Sequence, residues 1–518
     1  MLTLLRNCFL VDGTGNPGKS ADILIQGDKI SDIGTFPNAK ADRVFDLTGF
    51  TVTPGFIDVN VDSDHYFTLF SDPGQCSLMA QGVTSIVGGN SGTSLAPLLG
   101  DGILSLRKWA DPTQININWA SFGEFIVWLR TRKFGINFGS LVGHSTIRRG
   151  LMGDSVAPLN QGDYKRFIFL MDIALREGGL GFSTGLAYSR ASAVSTEELF
   201  ELTKNIAHGR GVYASYPREE GGIAGGVKEV VLLAQENNLN VEITHLATPR
   251  TDDFRFALEM IEKVSKDVSI HFDLSPYEIT VKPLFTLLPS WATQKGFAEL
   301  LRNLSNKELR ERILNDIEKR HEEIGGIIIS HARNQWIIHG KSIKEIALNQ
   351  NLSISEALLK VLQVSENQVM GFITDSDAGL REELLFHPLS LISSNGVGYD
   401  RIIGLGRPKI HPRSFGAFPR FLRIVREKKK ISFEEAIQKI TQIPGEKYGF
   451  MKRGVIKKGN YADLVVLDQG LVKESNTFEN SNVYSEGILM VFVNGVLSYE
   501  RGNFLNTTSG QVITSKVT

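Results

Sequence analysis

VKEVVLLAQENNLNVEITHLA, Val227 to Ala247, sets a helix directly before a strand. The apolar-rich first half carries a helical pattern that Asn237-Asn238 stops, and Val241 to Ala247 reads as a buried strand. The same unit recurs on both sides. KRFIFLMDIALREGG precedes the strand LGFSTG, and STEELFELTKNIAHGRG precedes VYASY. ALEMIEKVSKD precedes VSIHFDLSPY. Ser195 or Thr196 ahead of Glu197-Glu198 is a capping signal that starts one of these helices. Repeated helix–strand units call for a parallel sheet, and their number fits a (β/α)8 TIM-like barrel, an α/β fold.

The two ends of the chain read differently. LTLLRNCFLVDGTG and ADILIQGDKISDIGTF are strands closed by Asp-Gly and Gly-Asp turns, and EGILMVFVNGVLSYERGNF carries a hairpin signal at Asn494-Gly495. The expected organisation is a small composite β-sandwich from residues 1–53 and 452–518, with the barrel over 54–451. The charged helical stretch FAELLRNLSNKELRERILNDIEKRHEEIGG points to a subdomain inserted around 278–345.

Composition narrows the function. The 518 residues carry a formal net charge of -1, so no electrostatic case exists for nucleic acid or an anionic membrane as partner. Two cysteines supply neither a disulfide framework nor a cysteine zinc cluster. No apolar run reaches the ~18 residues of a membrane span, and the N-terminus lacks a signal-peptide pattern. A cytoplasmic protein acting on a small molecule is the expectation.

In such a barrel, functional groups stand at the C-terminal ends of the strands. Those ends offer Asn60 and Asp62, Asn90 and Ser91, His144, Ser183, Tyr216, His245, Tyr277, and Ser394-Asn395. In PGFIDVNVDSDHY, Asn60 and Asp62 lie two apart and so share a face. That geometry suits a metal-binding pair, yet the residue types do not. Asp64 and His65 just beyond read as a solvated loop.

Further motifs, in chain order, carry a family resemblance: ADILIQGDKISDIGTF, GFTVTPGFIDV, GVTSIVGGNSGTSLAP, GHSTIRRGLMG, GGLGFSTGLAYSRASAVSTEELFEL, GVYASYPREEG, HPRSFGAFPRFL and RGVIKKGNYADLVVLD. Together they resemble the N-acyl-D-amino-acid deacylases, or D-aminoacylases, of the amidohydrolase superfamily. The resemblance implies the barrel with a terminal β-sandwich, and hydrolysis of an N-acylated D-amino acid by zinc at the barrel mouth. It also implies a His-x-His pair where this chain has Asn60 and Asp62. A cysteine ligand falls at Ser91, a histidine at Tyr216, and a metal-binding aspartate that takes the proton from water at Asn395. His245 alone matches.

This substitution pattern predicts no metal and no cofactor. Amide and hydroxyl groups are weak zinc donors, and Asn395 has no basic site. The leading expectation is therefore a metal-independent, repurposed enzyme of this superfamily acting on an acylated amino acid or related amide by acyl transfer, cyclisation or rearrangement. The alternatives are a catalytically inactive pseudoenzyme and a zinc-dependent deacylase with atypical ligands. In the first reading His245 is the acid–base group, Asp62 orients it or acts as base, and Ser91 is a candidate nucleophile. Asn60 and Asn395 donate to an oxyanion, and Tyr216 is a general acid. Ser183, Tyr188, Tyr277, Arg218 and Arg413 are candidate substrate-binding residues, the two arginines as carboxylate forks. His144 and His411 read as structural.

Overall fold

The computed structural model describes residues 1–188, 194–206, 211–247, 251–400 and 409–515. Eight short strands form the central parallel arrangement. β1 (Phe56–Asp58), β2 (Val83–Gly88) and β3 (Asn137–Ser140) pair in order. Val142–Gly143 prolongs β3 and pairs with β4 (Gly181–Gly185), followed by β5 (Val212–Tyr216), β6 (Asn240–Ile243), β7 (Ile270–Leu274) and β8 (Ser390–Ile392). Beyond β8 the chain returns to the exit of β1, where Val61 and Gly396 form a parallel bridge and Asp62 N donates to Gly396 O at 2.8 Å. β2, β4 and β5 are buried along their whole length, which explains their apolar and small-residue sequences.

Helices Gln161–Arg176, Thr196–Thr203, Ile223–Asn237 and Thr251–Val264 precede β4, β5, β6 and β7. The Ser195 hydroxyl accepts from Glu198 N at 3.1 Å and starts the second of these. Residues 279–374 break the alternation. Ile279–Pro283, Ile328–Ala332 and Val369–Thr374 make a three-stranded antiparallel sheet with Val369–Thr374 in the middle, and helices fill the sequence between.

Strands from the two ends of the chain share one nine-stranded sheet. Thr51–Pro54 lies parallel to Leu2–Leu10 and antiparallel to Leu464–Leu467. This sheet has its own core, built by Leu5, Ile23 and Val52 from one end and Leu464, Val466 and Phe492 from the other. These strands are hydrogen-bonded into one continuous path, in which Leu2–Leu10 pairs with three neighbours and carries a bulge between Leu5 and Cys8. Further on, Phe138 N donates to Gln511 O at 3.0 Å, so the chain's last described segment runs along β3.

Candidate active site

Three turns at the strand ends aim the mouth's side chains. Ser91, His245 and Asn395, which follow β2, β6 and β8, have φ of 53°, 53° and 45°. Left-handed backbone disfavours any residue but glycine, by roughly 1–2 kcal/mol for Ser or His. Asparagine tolerates it better.

His245 is 6% exposed. Its Nδ1 lies 2.8 Å from Asn395 Nδ2. That contact is satisfied when the amide donates to Nδ1 and the ring proton sits on Nε2. Nε2 is 3.1 Å from Asp375 Oδ2, but out of line with the N–H axis, so both atoms are buried without an aligned hydrogen bond. Asp375 follows the central strand of the inserted sheet. Its Oδ1 takes a hydrogen bond of 2.5 Å from the buried Arg381. Burial pushes the Asp375 carboxyl up, but the Arg381 charge and then His245 outweigh it and hold the group well below the usual carboxylate range. An anionic Asp375 therefore faces the His245 ring.

Asp62 does not orient His245. Its Oδ1 lies 2.8 Å from His65 Nδ1, while His65 Nε2 is 3.0 Å from Thr93 O. Asp64 Oδ2 accepts from Gly89 N at 2.6 Å. Asp64 and His65, expected in a solvated loop, are 1% and 0% exposed. Burial opposes charge on His65, but Asp64 and Asp62 prevail and raise its pKa. The imidazolium donates at both nitrogens, which lets two acids be buried so close together. Its ring stacks on Trp109 at 4.1 Å.

Deeper in the barrel, Asn60 Nδ2 donates to Asp273 Oδ1 at 3.3 Å, and Ser393 Oγ donates to the same oxygen at 2.6 Å. Asn60 Oδ1 is buried without a partner. Burial raises the Asp273 pKa, and burial pushes Asp58 up to about 7, with Asp273 adding to the effect.

The Tyr216 hydroxyl donates to Glu219 Oε1 at 2.6 Å, and Lys282 Nζ reaches the same oxygen at 2.6 Å. Burial and the Glu219 carboxylate push the phenol well above its usual value, so Tyr216 stays protonated. The Tyr216 ring meets His245 edge-on at 5.7 Å and Tyr188 at 5.4 Å.

A cavity of about 360 Å3 opens beside this cluster, lined by Asp62, Tyr66, Lys108, Asn395, His411 and Arg413 among others. His245 stands behind Asn395 rather than on the cavity wall. Arg413 is buried, donates to Thr280 Oγ1 at 2.9 Å and forms part of the cavity wall. His411 is neutral, depressed by burial, with Nε2–H donating to Ile279 O and Nδ1 accepting from Arg413 N.

Other expected site residues lie elsewhere or are engaged. Among the described residues no hydrogen bond joins Ser91 to His245, so the nucleophile–base pair is not assembled. Ser183 Oγ donates to Gly89 O at 2.5 Å and accepts from Gly92 N at 3.2 Å, which ties two strand ends together. Tyr277 is buried and bonds Asn476 Oδ1 at 3.2 Å. Arg218 bonds Glu229 Oε2 at 2.8 Å and Val194 O, an anchoring role rather than an open fork. Asp375, Lys282, Lys108 and Asp273 were missed from the sequence. For Asp273 the signal was present, since it lies in the strand VSIHFDLSPY with its side chain inside the barrel.

Comparison with known proteins agrees with this architecture. A model of the amidohydrolase family matches residues 396–499. The D-aminoacylase of Alcaligenes xylosoxydans xylosoxydans is 29% identical over 518 residues, covering 98% of this chain and 97% of the relative. The N-acyl-D-aspartate deacylase of the same organism is 29% identical over 498 residues, with 95% and 91% covered. Among solved structures, the N-acyl-D-glutamate deacylase of Bordetella bronchiseptica, complexed with zinc and a phosphonate inhibitor, superposes with a TM-score of 0.85 at 25% identity over 99% of both chains. The fold and these full-length similarities define a member of the amidohydrolase superfamily. Within it, the chain belongs to the N-acyl-D-amino-acid deacylase, or D-aminoacylase, family.

The residues here do not fit the zinc that this family implies. Asn60 is bonded to Asp273, Asp62 to His65, and Tyr216 to Glu219 with its phenol protonated. Ser91 and Asn395 bring a hydroxyl and an amide. No group of three or more His, Cys, Asp and Glu side chains stands ready for an ion among the described residues. No helix among them is long and apolar enough to cross a membrane.

Proposed function

We propose that the chain acts on the amide of an N-acylated amino acid, or a closely related amide-bearing carboxylate, bound in the cavity at the barrel mouth. His245 is the proton-transfer group. The observation that carries this reading is the buried Asp375–His245–Asn395 row, with an anionic carboxylate at one ring nitrogen and a mouth-facing amide at the other. The Asn395 amide at Nδ1 leaves the ring proton on Nε2, and the Asp375 carboxylate 3.1 Å away stabilises the imidazolium that forms when Nδ1 takes a proton. Asn395 occupies the Nδ1 lone pair at rest. As it turns away it frees Nδ1 and brings its amide to an oxygen that is gaining charge. Arg413 at the cavity wall supplies a fork for the substrate carboxylate.

The experiment is a panel of N-acetyl, N-formyl and N-succinyl amino acids of both configurations, followed by release of free amine and by mass spectrometry for rearranged products. Turnover is expected in protein stripped with a chelator, and His245→Gln abolishes it while Asn395→Ala shifts its pH profile. Turnover unchanged in His245→Gln overturns the reading.

A second reading, zinc-dependent hydrolysis of an N-acyl-D-amino acid, draws on the full-length similarity to deacylases. The two part on one measurement. Activity that vanishes on stripping and returns with one zinc per chain favours the second.

A further inference from the structure

Across Gln114 from the mouth lies a second cavity, of about 440 Å3. That volume falls within the ~300–1,000 Å3 of small-molecule sites. Its wall comes wholly from residues 69–73, after β1, and 114–134, between β2 and β3. Leu69, Phe70, Ile115, Trp119, Trp128 and Phe134 make it apolar. Leu69 and Phe134 are buried, whereas Phe70 and Trp128 are only half-buried.

The aromatic side chains are held before any ligand arrives. Trp119 Nε1 donates to Leu95 O at 2.7 Å, and its ring leans on Phe125 at 5.2 Å. Trp128 meets Trp119 at 4.7 Å and Phe70 edge-on at 5.3 Å. Ser121 and Glu124 form a capping box at the start of the helix Phe122–Arg130, which fixes where Trp128 leaves the chain. Phe70, Trp119 and Trp128 thus form a preformed corner, and an aromatic body packing there costs the protein little side-chain freedom.

The charge of the wall has one sign. Arg132 and Lys133 line it, and among the described residues no carboxylate does. Neither of the two makes an ion pair among those residues, and the Arg132 guanidinium rests over the Trp128 ring at 4.5 Å. Asp72, the acid closest in sequence to the wall, is taken up by Ser71 Oγ at 2.7 Å and Asp400 N at 3.1 Å. An apolar aromatic corner beside two unpaired cations is complementary to a molecule with an aromatic body and an anionic head.

We infer that this cavity binds a small aryl carboxylate, its ring packed against Phe70, Trp119 and Trp128 and its carboxylate met by Arg132 and Lys133. The ring supplies most of the affinity, because Arg132 and Lys133 are exposed and their attraction is screened by solvent. The charges choose an acid over a neutral molecule of the same shape. The site goes beyond the reaction proposed for the mouth and stands without it.

1-Naphthylacetate is the probe, and 2-(1-naphthyl)ethanol is its neutral counterpart. Titration calorimetry is expected to show one site per chain, with the acid preferred about fivefold at low salt. In about 0.5 M sodium chloride the preference shrinks to under about twofold. Trp128→Ala weakens both compounds about tenfold, and Trp128→Phe restores most of that loss, which separates a missing wall from a damaged fold. Arg132→Gln with Lys133→Gln abolishes the preference for the acid and leaves the alcohol bound as before. Arg413→Gln, in the wall of the mouth, leaves both affinities unchanged. Three results each overturn the inference: no binding, equal affinities for acid and alcohol at low salt, or an acid lost in Arg413→Gln and kept in Trp128→Ala. The last places the acid in the mouth.

Discussion

Replacing Arg381 by methionine tests whether the inserted sheet holds the site in place. Arg381 is 1% exposed, among the largest fully buried side chains, and Asp375 is 3% exposed. The guanidinium donates to Asp375 Oδ1 at 2.5 Å, Ser376 Oγ at 2.9 Å and Ser275 O at 3.2 Å. Methionine keeps most of the packing volume but leaves Asp375 charged and buried without its guanidinium partner, beside His245 and the Ser376 hydroxyl. Breaking a buried pair by removing one partner costs about 3–5 kcal/mol, and the orphaned Ser275 carbonyl adds about 1 kcal/mol. Arg381→Met is therefore expected to lose about 4 kcal/mol in urea unfolding followed by circular dichroism. Asp375→Asn/Arg381→Met removes the uncompensated charge and is expected to recover about half of that loss. The acid side supplies a sign. The folded Asp375 pKa is depressed, so its stabilisation is complete above the unfolded value near ~3.9 and is lost only as pH falls through the lower folded value. Without Arg381 that pKa rises, and the deficit of the variant shrinks as the medium is acidified. A loss under about 1 kcal/mol, or a double variant no more stable than Arg381→Met, would refute the argument.

Zinc added to the purified protein and then removed by gel filtration is expected to leave well under ~0.2 ions per chain by elemental analysis. Restoring the donors with Asn60→His, Asp62→His, Ser91→Cys, Tyr216→His and Asn395→Asp is expected to retain about one. Lys108 has a folded pKa of about 7, below the unfolded ~10.4, so the unfolded state holds the extra proton between these values. Stability rises with pH across that window, and Lys108→Met flattens the rise in denaturant midpoints. Asp58 is the reverse case: its folded value of about 7 lies above ~3.9, so stability falls as pH climbs from about 4 to 7, by up to about 4 kcal/mol. Asp58→Asn removes that slope.

The alternation of helix and strand was legible because each unit repeats a local pattern. VKEVVLLAQENN forms most of the helix Ile223–Asn237, and the hairpin signalled by Asn494-Gly495 joins Ile488–Val493 to Val496–Glu500. The strand read through Ala247 stops at Ile243, because the backbone turns left-handed at His245 and leaves the extended conformation. Much of the site was not legible for the same physical reason that it works. Asp375 reaches His245 from an inserted sheet, and Lys282 meets Glu219 across the mouth, so neither has a periodic or spacing signal. Asp64 and His65 look like a polar loop because their burial depends on Asp62 and Trp109, whose position only the folded chain defines.

The pairing of Thr51–Pro54 with Leu464–Leu467 sets a timetable for synthesis. These strands are separated by roughly 400 residues, which a ribosome adds in about 20–80 s. During that interval the first strands wait with an unpaired edge and the apolar faces of Leu5, Ile23 and Val52 uncovered, while the helix–strand units behind them can already pack. Any chain released early keeps that edge open and is marked for chaperones or proteases. The sheet therefore acts as a seal that only the finished polypeptide can close.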